Sequence, residues 1–455
     1  MNNETIFALS SAHGKSGVAV IRVSGIDLSN LAKRMINNPA LAAGSKLPQQ
    51  FRGRVSSPMA KGVAQIVPRH AYFTNLRDDN NDLIDQCVAI FFNAPNSFTG
   101  EDVIEIYSHG SPAVIEKIFE FLRTRNARIA TRGEFSKRAF YNNKMDLTDV
   151  DGLIALLDAQ TDKQRQSALH SLTGGDSKTY IEWRNKMIEI SAYAAAILDY
   201  DADDLPQNID KKILSETQNL LNELKSAIDG YRANRALRNG FNIALIGETN
   251  VGKSSIFNKL VGSNRAIVSD IAGTTRDVVS MQIDIDGYLV NLSDTAGIRE
   301  STDVIEKIGI ERTHNEIENS DLIIHVYADE PATINDNEIT VVNKSDLIKN
   351  KTNKNVIYTS VINGDGFDIL LKTIKTKMHE LMSGTESRVA INERTYELLN
   401  DAINELENAI TKYDGNYDIF AEYVRHAGDA IGKILGVITT NEIADMTFSR
   451  LCLGK

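Results

Sequence analysis

The chain has 455 residues, of which 42% are hydrophobic and 24% charged, and this globular composition predicts roughly two to four domains rather than one. Its start, MNNETIFALS, lacks a basic segment followed by an apolar one, and no run of about 18 apolar residues occurs, which argues against a secretory signal and a membrane span. Two cysteines, Cys87 and Cys452, are too few for a disulfide framework and suit a reducing compartment, so the expected location is cytoplasmic.

The formal net charge of −11 does not indicate a nucleic-acid binder, because phosphates are neutralised by basic surface. One segment is nevertheless locally positive. Its cations are Arg123, Arg125, Arg128, Arg132, Lys137 and Arg138. We interpret them as a solvated helix face and loop, and an RNA-binding patch is the alternative.

The N-terminal part alternates strands and helices. The segments with the apolar runs or alternation of strands are GVAVIRVSG, QCVAIFF (86–92) and DVIEIYSHG (102–110). Residues 28–36 and AVIEKIFEFLRTR are typical of helices. Residues 40 to 75 lack a clear period and are predicted to be a loop or an insertion. An α+β domain is therefore expected over residues 1–142.

Long helices follow this domain and return near the C-terminus. Residues 143–236 and 379–455 carry apolar residues at three- and four-residue spacing, as in ERTYELLNDAINELENAITKY. The two segments are expected to pack together, because neither would otherwise bury its apolar stripe. Between them, residues 237–378 have the pattern of an inserted α/β domain.

The insert begins with FNIALIGETNVGKSS (241–255), a strand that leads into Gly247-x4-Gly252-Lys253-Ser254 and then a helix. This is a phosphate-binding loop in its required strand–loop–helix setting, and an idle glycine-rich turn is the alternative. The glycines let backbone N–H groups face phosphates, and the helix N-terminus favours anions. Lys253 is expected to reach the β- and γ-phosphates and Ser254 to bind Mg²⁺.

Two further motifs follow strands in the order of a Ras-like G domain. In DTAG, Asp294 suits the surroundings of the Mg²⁺ ion and the Gly297 N–H can sense the γ-phosphate. In NKSD, the Asp346 carboxylate can accept both N1–H and N2–H₂ of guanine, a paired donor edge that adenine lacks, so GTP is the expected nucleotide. The segment 359–362, TSVI, stands where a loop touches the base, although the usual pattern is nearer Ser-Ala-Lys.

Hydrolysis needs a group that the usual motif does not supply. SDIAGTTRD (269–277) has the pattern of a nucleotide-sensing loop with Thr275 as a Mg²⁺ ligand, and a bland surface loop is the alternative. The residue after DTAG is Ile298, which cannot orient water as the glutamine of Ras-like proteins does. The nearest acids are Glu300, Asp303, Glu306 and Glu311. No arginine finger within the chain is evident, so the positive charge that stabilises the transition state would come from a partner, a cation, Arg276 or Arg299. The Asn250 carbonyl is a candidate for holding a monovalent cation beside the phosphates.

The chain resembles one family over almost its whole length, in the segments TIFALSSAHGKSGVAVIRVSG, NSFTGEDVIEIYSHG, RGEFSKRAFYNNKMDLTD, GTTRD and LCLGK. It is similar to the tRNA-modification GTPases called MnmE or TrmE. The resemblance implies a multidomain α/β protein with an α+β N-terminal tetrahydrofolate-binding domain, a helical domain in two segments and an inserted Ras-like P-loop G domain.

The resemblance also implies partners and a reaction. It implies a homodimer through the N-terminal domains and a heterotetramer with an FAD-dependent partner, MnmG (GidA), with no membrane involved. Together they install an aminomethyl-type group at C5 of the tRNA wobble uridine. The one-carbon unit comes from a folate, 5-formyl- or 5,10-methylene-tetrahydrofolate.

Family G domains dimerise across their nucleotide faces with K⁺ bound, and this implies roles for single residues. Glu306 matches the catalytic glutamate, which acts through water. The positions that match K⁺ ligands are Asn250, Ser269, Ile271 and Thr274. The positions that match Mg²⁺ ligands are Ser254 and Thr275. The predicted GTP-binding positions are Asn250, Val251, Gly252, Lys253, Ser254, Ser255, Ser269, Asp270, Ile271, Ala272, Gly273, Thr274, Thr275, Asp294, Thr295, Ala296, Gly297, Asn343, Lys344, Ser345, Asp346, Ser360, Val361 and Ile362.

Folate-binding residues are implied in the same way. They are Arg22, Glu105, Lys144 and Lys455. Arginine and lysine fit an anionic glutamyl tail and a carboxylate fits the donor edge of a pterin, whereas without the family each would be taken for a surface charge. Cys452 matches the family's terminal cysteine and is a possible further site residue, although a nucleophilic role would require a lowered pKa.

Besides Ser360-Val361-Ile362 in the base-binding loop, the sequence departs from the family in three places. Thr249 replaces the usual proline before Asn250, and LCLGK replaces FCIGK. The chain between HVYADEP and NEITVVNKSD is too short for a full helix between two strands.

Two other functions share the G motifs. A ribosome-assembly or RNA-chaperone GTPase would carry an added basic RNA-binding module. A septin- or dynamin-like scaffold would carry membrane-binding helices. Neither feature is found in the sequence, so the tRNA-modification GTPase is the favoured function.

Overall fold

The computed structural model describes residues 4–36, 66–201, 208–267, 279–294, 317–335, 338–348, 351, 353–382, 389, 392–438 and 447–455. The chain divides into two compact units. The first contains residues 1–154 and 436–455, and the second contains residues 155–435.

The first unit is built on a six-stranded sheet. Its strands are Ile6–Leu9 (β1), Ser16–Gly25 (β2), Ala71–Arg77 (β3), Leu83–Phe92 (β4), Asp102–Gly110 (β5) and Arg128–Ile129 (β6). They lie in the order β3-β4-β5-β2-β1-β6, with antiparallel pairs except for the parallel pair β1–β6. The helices begun in this unit are Ser29–Ile36 (α1), Pro112–Arg123 (α2), Glu134–Tyr141 (α3) and Leu147–Asp158 (α4).

Alternation along the strands separates two faces of this sheet. Ile21 of β2 and Ile106 of β5 are fully buried in a core shared with Phe121 and Leu122 of α2. Arg22 and Glu105 point to the opposite, partly open face, because neighbouring residues of a strand face opposite sides. The sheet therefore places this charged pair outside the apolar core.

The expected strands and helices of the N-terminal part are confirmed, with one correction. The loop predicted for residues 40–75 is wrong at its end, because β3 begins at Ala71. Thr74 and Leu76 are buried and the strand pairs with β4, so tertiary pairing supplies the order that the local pattern lacks. Residues 40–65 of that segment lie outside the described residues.

The C-terminal residues 447–455 pack against the N-terminal residues within the first unit. The Gly133 N–H donates to the Cys452 carbonyl at 3.4 Å, and the Ser10 hydroxyl donates to the Gly454 carbonyl at 3.0 Å. Gly454 has φ 87°, and a Cβ there would clash with the Leu9 carbonyl, so glycine is required at this close approach. The tail is thereby fixed beside strand β1.

The second unit combines helices with a seven-stranded sheet. Its further helices are Asp162–Leu172 (α5), Gly175–Asp199 (α6), Ile209–Asp229 (α7), Tyr231–Asn239 (α8), Lys253–Ser263 (α9), Phe367–Met382 (α10), Glu393–Thr411 (α11) and Tyr417–Leu435 (α12). Its strands are Phe241–Ile246 (β7), Arg265–Ile267 (β8), Val279–Ile285 (β9), Tyr288–Asp294 (β10), Leu322–Tyr327 (β11), Glu338–Val342 (β12) and Ile357–Tyr358 (β13).

The sheet order is β13-β12-β11-β7-β10-β9-β8. The strands from β13 to β10 are parallel, whereas β9 is antiparallel to β10 and to β8. Because the central strands are parallel, their carboxyl ends meet at one edge of the sheet. That edge is where loops of an open α/β sheet form ligand sites.

The helices that precede this sheet in the sequence share one hydrophobic core with the helices that follow it. Tyr180 and Trp183 of α6, Leu224 of α7, Leu399 of α11 and Phe420 of α12 are all buried in it. The expectation that the two helical segments pack together is therefore confirmed. None of the helices in the described ranges combines the length and the apolarity that a bilayer crossing requires.

The connection between β11 and β12 is unusually short. These two parallel strands are joined by residues 328–337, of which the described residues 328–335 form bends and no helix. A parallel crossover usually takes a dozen or more residues and a helix. The short segment noted in the sequence thus omits the usual helix over its described length.

Candidate functional site

The loop after β7 has the backbone of a phosphate-binding loop. Gly247 has φ 141°, and a Cβ there would clash with the Val326 carbonyl, because the loop passes directly over the end of β11. Asn250 (φ 65°) and Gly252 (φ 98°) also lie at positive φ. Gly252 immediately precedes α9, so the N–H groups of the loop lie next to the N-terminus of a helix, which favours anions.

Lys253 lies within this loop. Its Nζ donates to the Gly247 and Glu248 carbonyls, each at 2.7 Å, and the residue is only 5% exposed. Burial lowers the pKa of Lys253 from its ordinary value, and the Asp294 carboxylate opposes that shift. A bound phosphate would provide the counter-charge that this buried ammonium needs.

Ser254 and Asp294 meet at the carboxyl ends of neighbouring strands. The Ser254 Oγ donates to Asp294 Oδ2 at 2.6 Å, and Asp294 is opposite Leu245 in the parallel pair β7–β10. A hydroxyl and a carboxylate oxygen are the hard ligands that Mg²⁺ prefers, so these residues fit a magnesium ion. Ser254 would bind the ion directly and Asp294 would orient its water.

The NKSD segment is fastened to the same loop. Asn343 donates through Nδ2 to the Val251 carbonyl at 2.9 Å, and the Lys344 ammonium donates to the Asn250 carbonyl at 2.8 Å. Asn343 is buried and also accepts a hydrogen bond from Thr359 Oγ1 at 3.3 Å. These bonds bring three segments that are distant in sequence to one edge of the sheet.

The residues predicted to contact the base lie beside one another. Ser360 is buried and donates through its Oγ to Asp346 Oδ1 at 2.6 Å, whereas Asp346 itself is exposed. Val361 packs on the core of the sheet, and Ile362 is 86% exposed. Ser360 therefore orients the carboxylate that is predicted to read guanine.

Part of the predicted nucleotide site is not covered by the structure. The predicted residues that lie outside the described ranges are Ser269, Asp270, Ile271, Ala272, Gly273, Thr274, Thr275, Thr295, Ala296, Gly297 and Glu306. Their roles remain predictions.

The first unit holds the predicted folate residues. Arg22 donates to Glu105 Oε1 through Nε at 3.0 Å and Nη2 at 2.9 Å, and its guanidinium lies 4.9 Å from the centre of the Phe98 ring. Lys455 is near enough for Arg22 to affect its titration: burial and then Arg22 lower the pKa of Lys455. Lys144 is exposed and lies beside Gly100.

Two further points concern this cluster. Cys452 is an exposed free thiol. Tyr107, which the sequence reasoning missed, donates its hydroxyl to Glu105 Oε2 at 2.7 Å. The available signal was its position two residues after Glu105 on a predicted strand, which places both side chains on one face.

The locally positive segment is largely neutralised within the fold. The ion pairs are Arg123–Glu116, Arg125–Asp79, Arg128–Glu4, Arg128–Glu134, Arg138–Glu101 and Arg138–Glu134. The Arg132 guanidinium instead donates to the Leu451 carbonyl at 3.2 Å. These contacts favour a paired helix face and loop over an RNA-binding patch.

Comparison with known proteins agrees with this arrangement. The sequence profile of the MnmE helical domain matches residues 147–452, and that of the N-terminus of the GTP-binding protein TrmE matches residues 5–144. The tRNA modification GTPase MnmE of Wolbachia pipientis subsp. Culex pipiens (strain wPip) is 37% identical and covers 100% of this chain and 99% of its own length.

Two further relatives carry the same description. That of Rickettsia prowazekii (strain Madrid E) is 36% identical over 99% of this chain and 100% of its own. That of Agrobacterium fabrum (strain C58 / ATCC 33970) is 37% identical over 99% of both. With its phosphate-binding loop, its guanine-type motif and this full-length similarity, the chain belongs to the tRNA modification GTPase MnmE family and is a GTP hydrolase of tRNA modification.

Proposed function

We propose that this chain is a K⁺-dependent GTPase that works with an FAD-dependent MnmG-type partner on the wobble uridine of tRNA. The pair installs an aminomethyl-type group at C5 with a one-carbon unit from a reduced folate, in the cytoplasm, as a heterotetramer containing a homodimer of this chain. The observation that carries the proposal is that one chain holds both a nucleotide loop and a separate, partly buried Arg22–Glu105 pair beside its C-terminal lysine.

The charge of the Arg22 cluster supports an anionic ligand. The side chains of Arg22 and Glu105 are each 14% exposed, and Lys455 is a second cation whose pKa both of them affect. Within the described residues, Arg22 Nη1 is buried and has no hydrogen-bond partner. A buried donor left in this way costs free energy, so a ligand oxygen there is favourable. The folate would supply the one-carbon unit.

Removal of the C-terminal lysine charge tests the folate half of the proposal. Lys455→Ala is expected to reduce wobble-uridine modification about tenfold at limiting folate, because a charge-assisted contact is lost. GTP hydrolysis is expected to stay unchanged, since Lys455 and the nucleotide loop belong to different compact units. Mass spectrometry of tRNA nucleosides with the FAD-dependent partner present measures the modification. Phosphate release measures GTP hydrolysis.

The control for that experiment is Lys178→Ala, an exposed lysine on α6. Unchanged modification in Lys455→Ala at every folate concentration would count against a role for the tail in folate binding.

The loop also offers a candidate cation site at Asn250. Its main-chain carbonyl already accepts from the Lys344 ammonium at 2.8 Å, so the side-chain carbonyl is the proposed K⁺ ligand. Asn250 lies at φ 65° with an exposed side chain, in the turn of the loop that is expected to face the phosphates. A K⁺ ion held there would stabilise negative charge that develops between the β- and γ-phosphates, as an arginine finger does. The proposed water-orienting residue is Glu306.

Turnover in KCl and in NaCl at equal ionic strength tests the cation. K⁺ is expected to raise GTP hydrolysis at least about tenfold over Na⁺, and Asn250→Ala is expected to remove most of that difference. Asn185→Ala, on the exposed face of α6, is the matched control. Equal turnover in the two salts would reject the K⁺ mechanism while leaving the GTPase assignment intact.

A further inference from the structure

Both oxygens of the Glu105 carboxylate are held by the protein itself. Oε1 accepts from Arg22 Nε and Nη2 at 3.0 and 2.9 Å, and Oε2 accepts from the Tyr107 hydroxyl at 2.7 Å. A glutamate side chain has three rotatable bonds, so without these contacts it would sample several rotamers. These contacts hold the Glu105 carboxylate in one orientation.

The sheet imposes this arrangement before any ligand binds. Arg22 of β2 is directly opposite Glu105 of β5 in the antiparallel register, and Tyr107 is two residues further along β5 on the same face. Tyr107 is itself opposite Val20 and Val88, so strands on both sides flank its ring. The phenol therefore reaches Glu105 along the strand rather than across it.

The chemistry of the phenol suits a permanent donor. Burial and then the bond to Glu105 raise the pKa of Tyr107 to about 12, so the hydroxyl keeps its proton at neutral pH. A donor that stays protonated holds a carboxylate more uniformly than a group that titrates near neutrality. Because each carboxylate oxygen has two lone pairs, Oε2 can still accept a ligand N–H.

We propose that Tyr107 is a positioning residue for the folate site: it fixes Glu105 Oε2 toward the donor edge of a pterin, while Arg22, fixed through Oε1, keeps its unpartnered Nη1 for a ligand oxygen. This inference rests on the proposed folate-binding function. Tyr107 acts through Glu105 and carries no bond-breaking step.

The test is calorimetric titration of the full chain with 5-formyl-tetrahydrofolate. Tyr107→Phe removes only the hydroxyl and is expected to weaken binding about tenfold, because the carboxylate loses a charge-assisted hydrogen bond. Tyr107→Gln restores an N–H donor and is expected to recover most of the affinity. Tyr72 lies on strand β3 of the same sheet, and its hydroxyl bonds to the main chain of Val67, before that strand. Tyr72→Phe removes this hydroxyl and serves as the matched control with unchanged binding.

Rescue by a donor distinguishes positioning from packing. If Tyr107→Phe and Tyr107→Gln are equally weak, the ring rather than the donor matters and the inference is overturned. If Tyr107→Phe binds as wild type does, Tyr107 has no role and the proposed function still stands. If wild type itself fails to bind the folate, the proposed function falls and this inference falls with it.

A folding defect in Tyr107→Phe would not end the test. Tyr107→Met and Tyr107→Gln both lack the ring and differ in the donor. A larger affinity for Tyr107→Gln supports the inference, and equal affinities reject it. Thermal unfolding of each variant without ligand establishes that a folded protein is compared.

Discussion

Replacing Lys253 by methionine is expected to lower GTP turnover by about a hundredfold or more, the usual effect of removing one preorganised group that stabilises developing charge. The side chain is buried and its ammonium is held by the Gly247 and Glu248 carbonyls, so it is aimed before the nucleotide arrives. Methionine keeps an unbranched side chain that is one heavy atom shorter and removes the charge. The ammonium would otherwise bridge the β- and γ-phosphates.

Phosphate release at saturating GTP measures this effect, and titration with a fluorescent GDP analogue separates binding from turnover. Lys259→Met is the matched control, since Lys259 is an exposed lysine on the same helix, 6.0 Å from the centre of the Phe367 ring. Its turnover is expected to equal that of wild type. Turnover of Lys253→Met within threefold of wild type would contradict the assignment of this loop.

Asp346→Asn is expected to exchange the base preference of the protein. In the predicted contact the Asp346 carboxylate accepts two N–H groups of guanine, whereas an amide at that place would present a donor to the N2 amino group. GTP affinity is therefore expected to fall roughly a hundredfold or more, since two charge-assisted hydrogen bonds are lost. Xanthosine triphosphate has an oxygen at that position of the base, so its affinity is expected to rise.

Competition binding with the two nucleotides checks the exchange. Ser360→Ala is an intermediate case, because it leaves the carboxylate and removes the 2.6 Å bond that orients it, together with the longer 3.4 Å bond that Ser360 Oγ accepts from the Asn363 N–H. About tenfold weaker GTP binding is expected there, with no gain for the xanthine nucleotide. A loss of GTP affinity in Asp346→Asn without any gain for the xanthine nucleotide would indicate damage to the loop rather than a changed base contact.

The amino-acid sequence by itself determined the nucleotide loop and the main elements. The loop from Gly247 to Ser254 depends on backbone conformations that glycine permits locally, so its function is written in consecutive residues. The strands β2, β4 and β5 are likewise visible because each has one side in the core and an apolar pattern with period two. The absence of a helix from the described residues 328–335 after β11 was expected from chain length alone.

Tertiary structure decided the rest, because those features depend on partners that are remote in the chain. The Arg22–Glu105 bond joins residues 83 positions apart, and the Ser10–Gly454 bond joins residues 444 positions apart. Strand register brings the first pair together, and no local pattern encodes register across so long a separation. The same holds for Tyr107, because its proposed positioning role depends on the Arg22–Glu105 pair that the strand register places next to it.

The positive segment and strand β3 show the same physical limit. A sequence displays the charge of Arg128 and Arg138 but not the Glu134 carboxylate that pairs with both. It displays AYFTNLR but not the neighbouring β4 that gives this stretch its order. Backbone conformation and periodicity are local properties and can be predicted, whereas pairing energies arise only when the chain has folded and distant groups share one low-dielectric environment.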